Sequence, residues 1–414
     1  MNQLFSLDKK GTSVQTEVLS GLITFFSISY ILFVHPMMLA EAGVPITLSL
    51  LATIFISIIA SLSMGFYANS PLVMSPGLGM TAYFAYTLVG SLGFSWQQAL
   101  AIVIISSLIF VALTFTGVIE QFSLAIPVEI KKSITIGIGL FLLKIGLQNT
   151  GFLVNNQFNW TWIGFFGLLI VFILTRLNIK GNFLIAIALI TVVFWVFTDG
   201  KDVSSTSALS QVGDYVGLID IDFSNLINIE GITAVFSLVM LLIFQALGIV
   251  EAFITDREEA KKSYQVVSIM SVLSGVLGTS PAITVSENAA GNKEGARSGL
   301  STVVAGLAFV LALFATPLFG YIPSVAVGPV IVFTGISMGK LVKTIEVPHW
   351  SLWIPAITIM ISIPLTGSIV SGMAYGFIVF PVVALLFGHK DRINNTIYII
   401  SGLFLILLII EALM

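Results

Sequence analysis

Apolar runs long enough to cross a bilayer recur near residues 17–38, 46–66, 97–117, 131–148, 161–177, 181–198, 232–254, 263–278, 296–318, 323–340, 349–365, 368–388 and 395–413. Lipid offers the backbone no hydrogen-bond partner, so each run predicts an α-helix that satisfies its own N–H and C=O groups. Two segments break the pattern. They read "PLVMSPGLGMTAYFAYTLVG" (71–90) and "TSPAITVSENAAGNK" (279–293). Proline, glycine, hydroxyls and the carboxylate of Glu287 stand there in place of a continuous apolar helix. Each segment predicts a short extended piece followed by a half-helix: strands near 71–76 and 280–285, half-helices near 78–90 and 286–293. Irregular backbone at membrane depth is tolerated only when buried in protein or lining a cavity, so these two segments mark the candidate site.

The two segments are also copies of one another. "NSPLVMSPG" from Asn69 and "TSPAITVSE" from Thr279 share their position within each half of the chain, 210 residues apart. Farther on, "AIPVEIKKSITIGIGL" (125–140) resembles "YIPSVAVGPVIVFTGI" (321–336). Seven crossings separate equivalent points, so the copies have opposite orientation, the plan of many secondary transporters. With the N-terminus cytoplasmic and each short segment crossing once, 15 of the 17 Lys and Arg fall on the cytoplasmic side. The exceptions are Lys201, outside, and Lys144, within a span and read as a snorkelling or inter-domain residue. That asymmetry supports the orientation and a multi-pass place in the plasma membrane. The polar, acidic stretch 199–231 is the extracytoplasmic linker between the halves.

Composition narrows the function. Of 414 residues 57% are hydrophobic and 9% charged, against roughly 25% charged in soluble domains. There is no cysteine, which removes disulfides, thiolate metal sites and thiol nucleophiles. No GxxxxGK[ST] loop is present, so the chain has no ATPase of its own. The histidines, His35, His349 and His389, are far apart in sequence and read as interfacial polar residues rather than ligands. Neither a metal cluster nor a GxSxG nucleophile argues for an enzyme. No cofactor and no nucleic acid is expected.

The polar residues within the apolar segments carry the chemistry. A carboxylate inside a membrane is a functional candidate by default, although Glu287, at the start of the second half-helix, also suits a helix N-cap. Ser286 stands beside it. Thr81 follows Gly77 and Gly79 in the first short segment; a Thr there commonly bonds its own backbone, but its place in the repeat makes it a site candidate. Gln245 lies in "LLIFQALGIVEAF" and shares a helix face with Leu242 and Gly248. Glu251, six residues on, is turned by about 240° and lies nearer the cytoplasmic end, where it can snorkel. Phe25, Tyr30 and Phe84 are aromatics available for stacking.

At these residues the chain resembles the purine permeases of the nucleobase–cation symporter-2 superfamily, in its adenine/guanine/hypoxanthine branch. The similarity rests on "TEVLSGLITFFSISYILFVHP", "SPGLGMTAYFAYT" (75–87), "ITIGIGLFLLKIGLQNTG" (134–151) and, most specifically, "VLGTSPAITVSENAAGNKEGARSGL" (276–300). The resemblance implies an all-α membrane protein of about fourteen spans in a 7+7 inverted repeat, with two short β-strands and half-helices at the midplane. It implies a core domain (1–117 and 232–320) and a gate domain (118–198 and 321–414), an elevator-type movement, and proton-coupled uptake of a purine base. Homodimerisation is a further expectation. Glu287 matches the family's binding glutamate. Thr81 stands where the branch has Asn, and both aspartates of the family's helix-8 pattern are replaced, by Leu242 and Gln245. A coupled proton is then expected on Glu287, with Glu251 the second candidate. The alternatives are another nucleobase-like or anionic solute carried on the same fold, or an uncoupled carrier or sensor. A carboxylate in the site repels an anion unless it is protonated.

Overall fold

A computed structural model describes residues 2–154, 157–158, 161–197, 215–224, 226–345, 349–389 and 393–413. In the first half, α1 (Val14–Ile28) and α2 (Ile31–Glu41) form one rod, broken at Ser29 and Tyr30. The sequence reading placed a single helix there. The helix α3 (Ile46–Ser63) ends in a π-helical turn, Met64–Ala68. Then come β1 (Met74–Pro76) and α4 (Leu78–Ala82), which runs on as a π-helix, Tyr83–Ser91. Next follow α5 (Trp96–Phe115), α6 (Val118–Ala125), which was not anticipated, α7 (Val128–Asn149), a small hairpin of β2 (Leu153–Val154) and β3 (Gln157–Phe158), α8 (Trp162–Arg176) and α9 (Asn182–Phe197). Much of the expected linker 199–231 lies outside the described residues. Its described part includes α10 (Tyr215–Leu218), whose Tyr215 hydroxyl donates to the Leu277 carbonyl at 2.5 Å.

The second half repeats the order: α11 (Ile229–Phe253), α12 (Arg257–Val276), β4 (Ala282–Thr284), α13 (Asn288–Lys293), α14 (Gly299–Ala315), α15 (Ser324–Gly339), α16 (Trp350–Thr366) and α17 (Ile369–Leu386). The additional helix α18 (Asn395–Leu413) packs on α17, with the Ser401 hydroxyl on the Phe377 carbonyl at 2.6 Å. Among the described residues, six helical stretches are long and apolar enough to cross a membrane: Val14–Glu41, Ile46–Ala68, Trp96–Phe115, Ile229–Phe253, Ser324–Thr344 and Ile369–Leu386. The helices α8, α9, α14, α16 and α18 are shorter but apolar.

The helices pack in two groups that obey one two-fold relation. α1 lies on α14 as α11 lies on α5; α14 lies on α3 as α5 lies on α12. In the other group α8 lies on α15 as α16 lies on α7, and α8 on α9 as α16 on α17. The relation passes through the strands, which are antiparallel with Met74 opposite Thr284, its equivalent 210 residues on. It passes also through α7 and α15, where Gly139 and its equivalent Gly335 touch. A methyl group at Gly335 would lie 2.3 Å from the Gly139 carbonyl oxygen, so only glycine permits this approach. The side-chain amide of Asn288 extends the two-stranded sheet, accepting from the Val73 N–H at 2.8 Å and donating to the Val73 carbonyl at 3.0 Å.

A buried carboxylate that the sequence reading passed over ties the first group together. Glu17 of α1 is fully buried and accepts the N–H groups of Arg297, Ser298 and Ser301 at the start of α14. Those N–H groups have no intrahelical partner, and a carboxylate complements them and the helix dipole. Glu17→Ala strands several buried donors, so folding stability is expected to fall by about 2–3 kcal/mol. A lowered melting temperature of detergent-purified protein checks this; an unchanged one shows that the donors find other partners.

Candidate functional site

The strand pair and the break between α1 and α2 meet at one narrow cavity of about 50 Å³. One wall comes from Ile28, Tyr30, the residues around β1 and β4, and Gln245 and Ile249 of α11; the opposite wall is Thr334 and Met338 of α15. The cavity therefore lies between the two helix groups. Ligand sites typically run to ~300–1,000 Å³, so admitting a small molecule requires these walls to part.

Glu287 and Gln245, distant in sequence, are brought together here. Glu287 occupies the N-cap position of α13 but its side chain makes no capping bond. Its carboxylate instead accepts from the Tyr30 hydroxyl and, at 3.2 Å, from the hydroxyl of Ser286. That geometry favours a site role over a capping role. Glu287 is half-buried rather than fully buried, and Ser286 is exposed, because α13 begins at the edge of the cavity. Gln245 is buried, and its amide Nε2 has no partner among the described residues. Glycine at position 79 makes room for this amide: a methyl group there would lie 2.3 Å from Gln245 Nε2. Thr284, which the sequence reading did not single out, lines the same cavity with a buried hydroxyl that likewise has no partner. Other buried side-chain atoms among the described residues also lack partners, His35 Nδ1 and Ser57 Oγ among them; Gln245 and Thr284 differ in that both line the cavity, where a ligand can meet the bonds they forgo.

The other sequence candidates lie elsewhere. Thr81 is fully buried, outside the cavity lining, and donates to the Gly77 carbonyl of its own helix at 2.9 Å, within reach of Ser280 at 3.2 Å. Leu242 is fully buried about one helical turn from Gln245, away from the cavity. Phe25 packs edge-on against Phe309, and Phe84 is enclosed; neither lines the cavity. Tyr30 does line it, but as a hydrogen-bond donor to Glu287. Glu251 does not snorkel freely. It pairs with Lys131 of α7 at 2.5 Å and accepts from Ser123 of α6. Its turn around α11 aims it at α7 rather than at the cavity. Lys144 donates to the Pro364 carbonyl of α16 at 3.3 Å, within one helix group.

His35 departs from the interfacial position expected from the sequence. It is fully buried, not interfacial, and its Nε2 lies 2.8 Å from the Thr279 hydroxyl, because α2 packs beside the entry to β4. His349 and His389 come together with ring centroids 4.7 Å apart, since α16 begins where the antiparallel α17 ends. No signal in the sequence pairs Tyr30 with Glu287 or places Thr334 and Met338 on the cavity; the packing of α1 on α13 does the first and that of α15 the second.

The chain is similar to several known proteins. The nucleobase transporter PlAzg2 of Paenibacillus larvae is 34% identical over 379 residues, covering 87% of this chain and 76% of that protein. The guanine/hypoxanthine permease PbuG of Bacillus subtilis is 31% identical over 439 residues, covering 99% of each. The adenine permease AdeP of Escherichia coli is 29% identical, covering 98% of this chain and 95% of that one. Among solved structures, the transmembrane domain of the cyanobacterial bicarbonate transporter BicA aligns with a TM-score of 0.58 at 16% identity, over 88% of this chain and 97% of that one. SLC26A9 aligns with a TM-score of 0.60 at 12% identity, over 91% of this chain and 66% of that one. At such identities the likeness speaks to fold, and it is the fold of a 7+7 inverted repeat. A profile of the Permease family matches residues 15–373, most of the chain. The chain is thus a transporter rather than an enzyme, and it belongs to the nucleobase–cation symporter-2 family of permeases.

Proposed function

We propose that this chain carries a purine base, of the adenine, guanine or hypoxanthine type, inward across the cytoplasmic membrane together with a proton. The observation that carries this reading is the cavity chemistry: on one narrow slot stand a carboxylate, a buried amide nitrogen and a buried hydroxyl, the last two without partners among the described residues. A flat heterocycle with donors and acceptors on its edge matches that set. Glu287 accepts from a ring N–H, while the Gln245 amide offers both a donor and an acceptor. The names of the relatives point to the same substrates. A negative solute fits less well, because Glu287 repels it. The group α1–α5 with α11–α14 acts as the core domain and the group α7–α9 with α15–α17 as the gate domain. Movement of one against the other opens the slot to each side in turn, with the N-terminus on the cytoplasmic side. The proton enters with the base: Glu287, ionised in the empty slot, takes up the proton as the base docks, one oxygen accepting the ring N–H and the new O–H donating to a ring nitrogen, so the two bindings favour each other.

Purified protein in liposomes tests this. Radiolabelled base is expected to accumulate when the outside is acidic relative to the lumen, and to stop accumulating when an ionophore collapses the gradient. Gln245→Ala is expected to weaken uptake about tenfold and to change the ranking among adenine, guanine, hypoxanthine, xanthine and uracil. Uptake indifferent to the gradient favours an uncoupled carrier; an unchanged ranking removes Gln245 from the site.

A further inference from the structure

We propose that Thr334 is a positioning residue that makes the grip of Glu287 depend on where the gate helices stand; this rests on the reading of the cavity given above. Three contacts carry it. Tyr30 sits at the break between α1 and α2, is 1% exposed, and donates to the Glu287 carboxylate. Thr334 of α15 approaches the same phenol oxygen at 3.4 Å. Phe183 of α9 meets the Tyr30 ring edge-on, with centroids 5.1 Å apart. Tyr30 and Glu287 belong to one helix group, while Thr334 and Phe183 belong to the other. The phenol is therefore held from the far side of the boundary across which the molecule moves.

The Thr334 hydroxyl has one proton and two acceptors. The Val330 carbonyl of its own helix lies at 2.9 Å and the Tyr30 oxygen at 3.4 Å. A Thr in a helix ordinarily bonds back to its own turn. If α15 moves away, the proton settles on Val330 and no buried donor is stranded, so the contact is inexpensive to break and remake. Tyr30 then loses its outer supports, and the carboxylate loses a fixed donor. A ligand shifts a conformational equilibrium only by its difference in affinity between the two states. The Thr334–Tyr30–Glu287 chain supplies such a difference.

The experiment measures base binding and uptake for Thr334→Val, Thr334→Ser, Tyr30→Phe and the Tyr30→Phe/Thr334→Val double variant, with melting temperature as a fold control. Thr334→Val keeps the shape and removes the hydroxyl, and is expected to raise KM about five- to tenfold with little change in maximal rate. Thr334→Ser is expected to restore KM. In the Tyr30→Phe background, Thr334→Val is expected to add nothing, because the oxygen it addresses is gone; two merely structural defects would add. A wild-type KM in Thr334→Val, or additive losses in the double variant, overturns the proposal. Should Tyr30→Phe fail to fold, the Val and Ser variants of Thr334 still decide it. Glu287→Gln, measured alongside, separates the two readings. If it binds base normally, the cavity reading itself fails; if it does not bind while Thr334→Val is silent, only the positioning role fails.

Discussion

Glu287→Gln is expected to lose nearly all base uptake, by a hundredfold or more, while the protein still reaches the membrane and keeps its melting temperature. The carboxylate makes no capping bond for α13, so its replacement leaves that helix start unchanged. What changes is the cavity. The Tyr30 hydroxyl now meets a neutral amide, and the base meets a group that can neither ionise nor take up a proton. Hydrogen bonds to charged groups contribute about 1.5–3 kcal/mol each, and two such changes exceed a hundredfold. Uptake in liposomes and binding to purified protein check this. Near-normal uptake with a lowered melting temperature would make Glu287 a structural residue. If a proton rides on Glu287, base-driven acidification of the lumen disappears in the same variant.

The second large effect is expected at the ion pair that joins the two helix groups. Lys131 is only 4% exposed, and its ammonium bonds Glu251 at 2.5 Å and the Ser123 carbonyl at 2.8 Å. Glu251→Ala leaves this ammonium buried with one neutral partner. Breaking a buried pair from one side typically costs about 3–5 kcal/mol; Glu251, 28% exposed, places the expectation near the lower end. Melting temperature and yield are expected to drop clearly in Glu251→Ala and to recover in Lys131→Met/Glu251→Leu, where both charges are gone. No drop in the single variant would mean that water reaches Lys131. Two other pairs, Lys180–Glu294 and Lys261–Glu120, are exposed and are expected to contribute about 0–1 kcal/mol. The pairing also argues against Glu251 as the proton carrier, because protonating it would strand Lys131.

Much of this molecule is legible from the order of its residues, and the reason is the solvent. In a bilayer every apolar run of sufficient length must become a helix, so span positions follow from composition along the chain. The two interrupted segments stand out because Pro71, Pro281 and their polar neighbours contradict that rule, and their spacing of 210 residues reveals the repeat. The strands appear within the predicted windows, shortened to Met74–Pro76 and Ala282–Thr284. Glu287 and Gln245 were identifiable because a carboxylate or an amide in an apolar helix is conspicuous. The tertiary structure decided what those groups touch. Periodicity puts Gln245 on a face of α11 but cannot tell that Gly79 opens space for its amide, or that Thr284 shares the cavity. Nor can it tell that the chain breaks at Tyr30, whose phenol then turns to Glu287, or that Glu17 caps a helix some 280 residues away. Aromatic residues misled for the same reason: in a core rich in Phe, only packing separates Tyr30, at the cavity, from Phe25 and Phe84, which fill the interior. Spans are set locally by the cost of bare backbone in lipid. Sites between two helix groups are set by contacts between distant segments, and those exist only once both groups have packed.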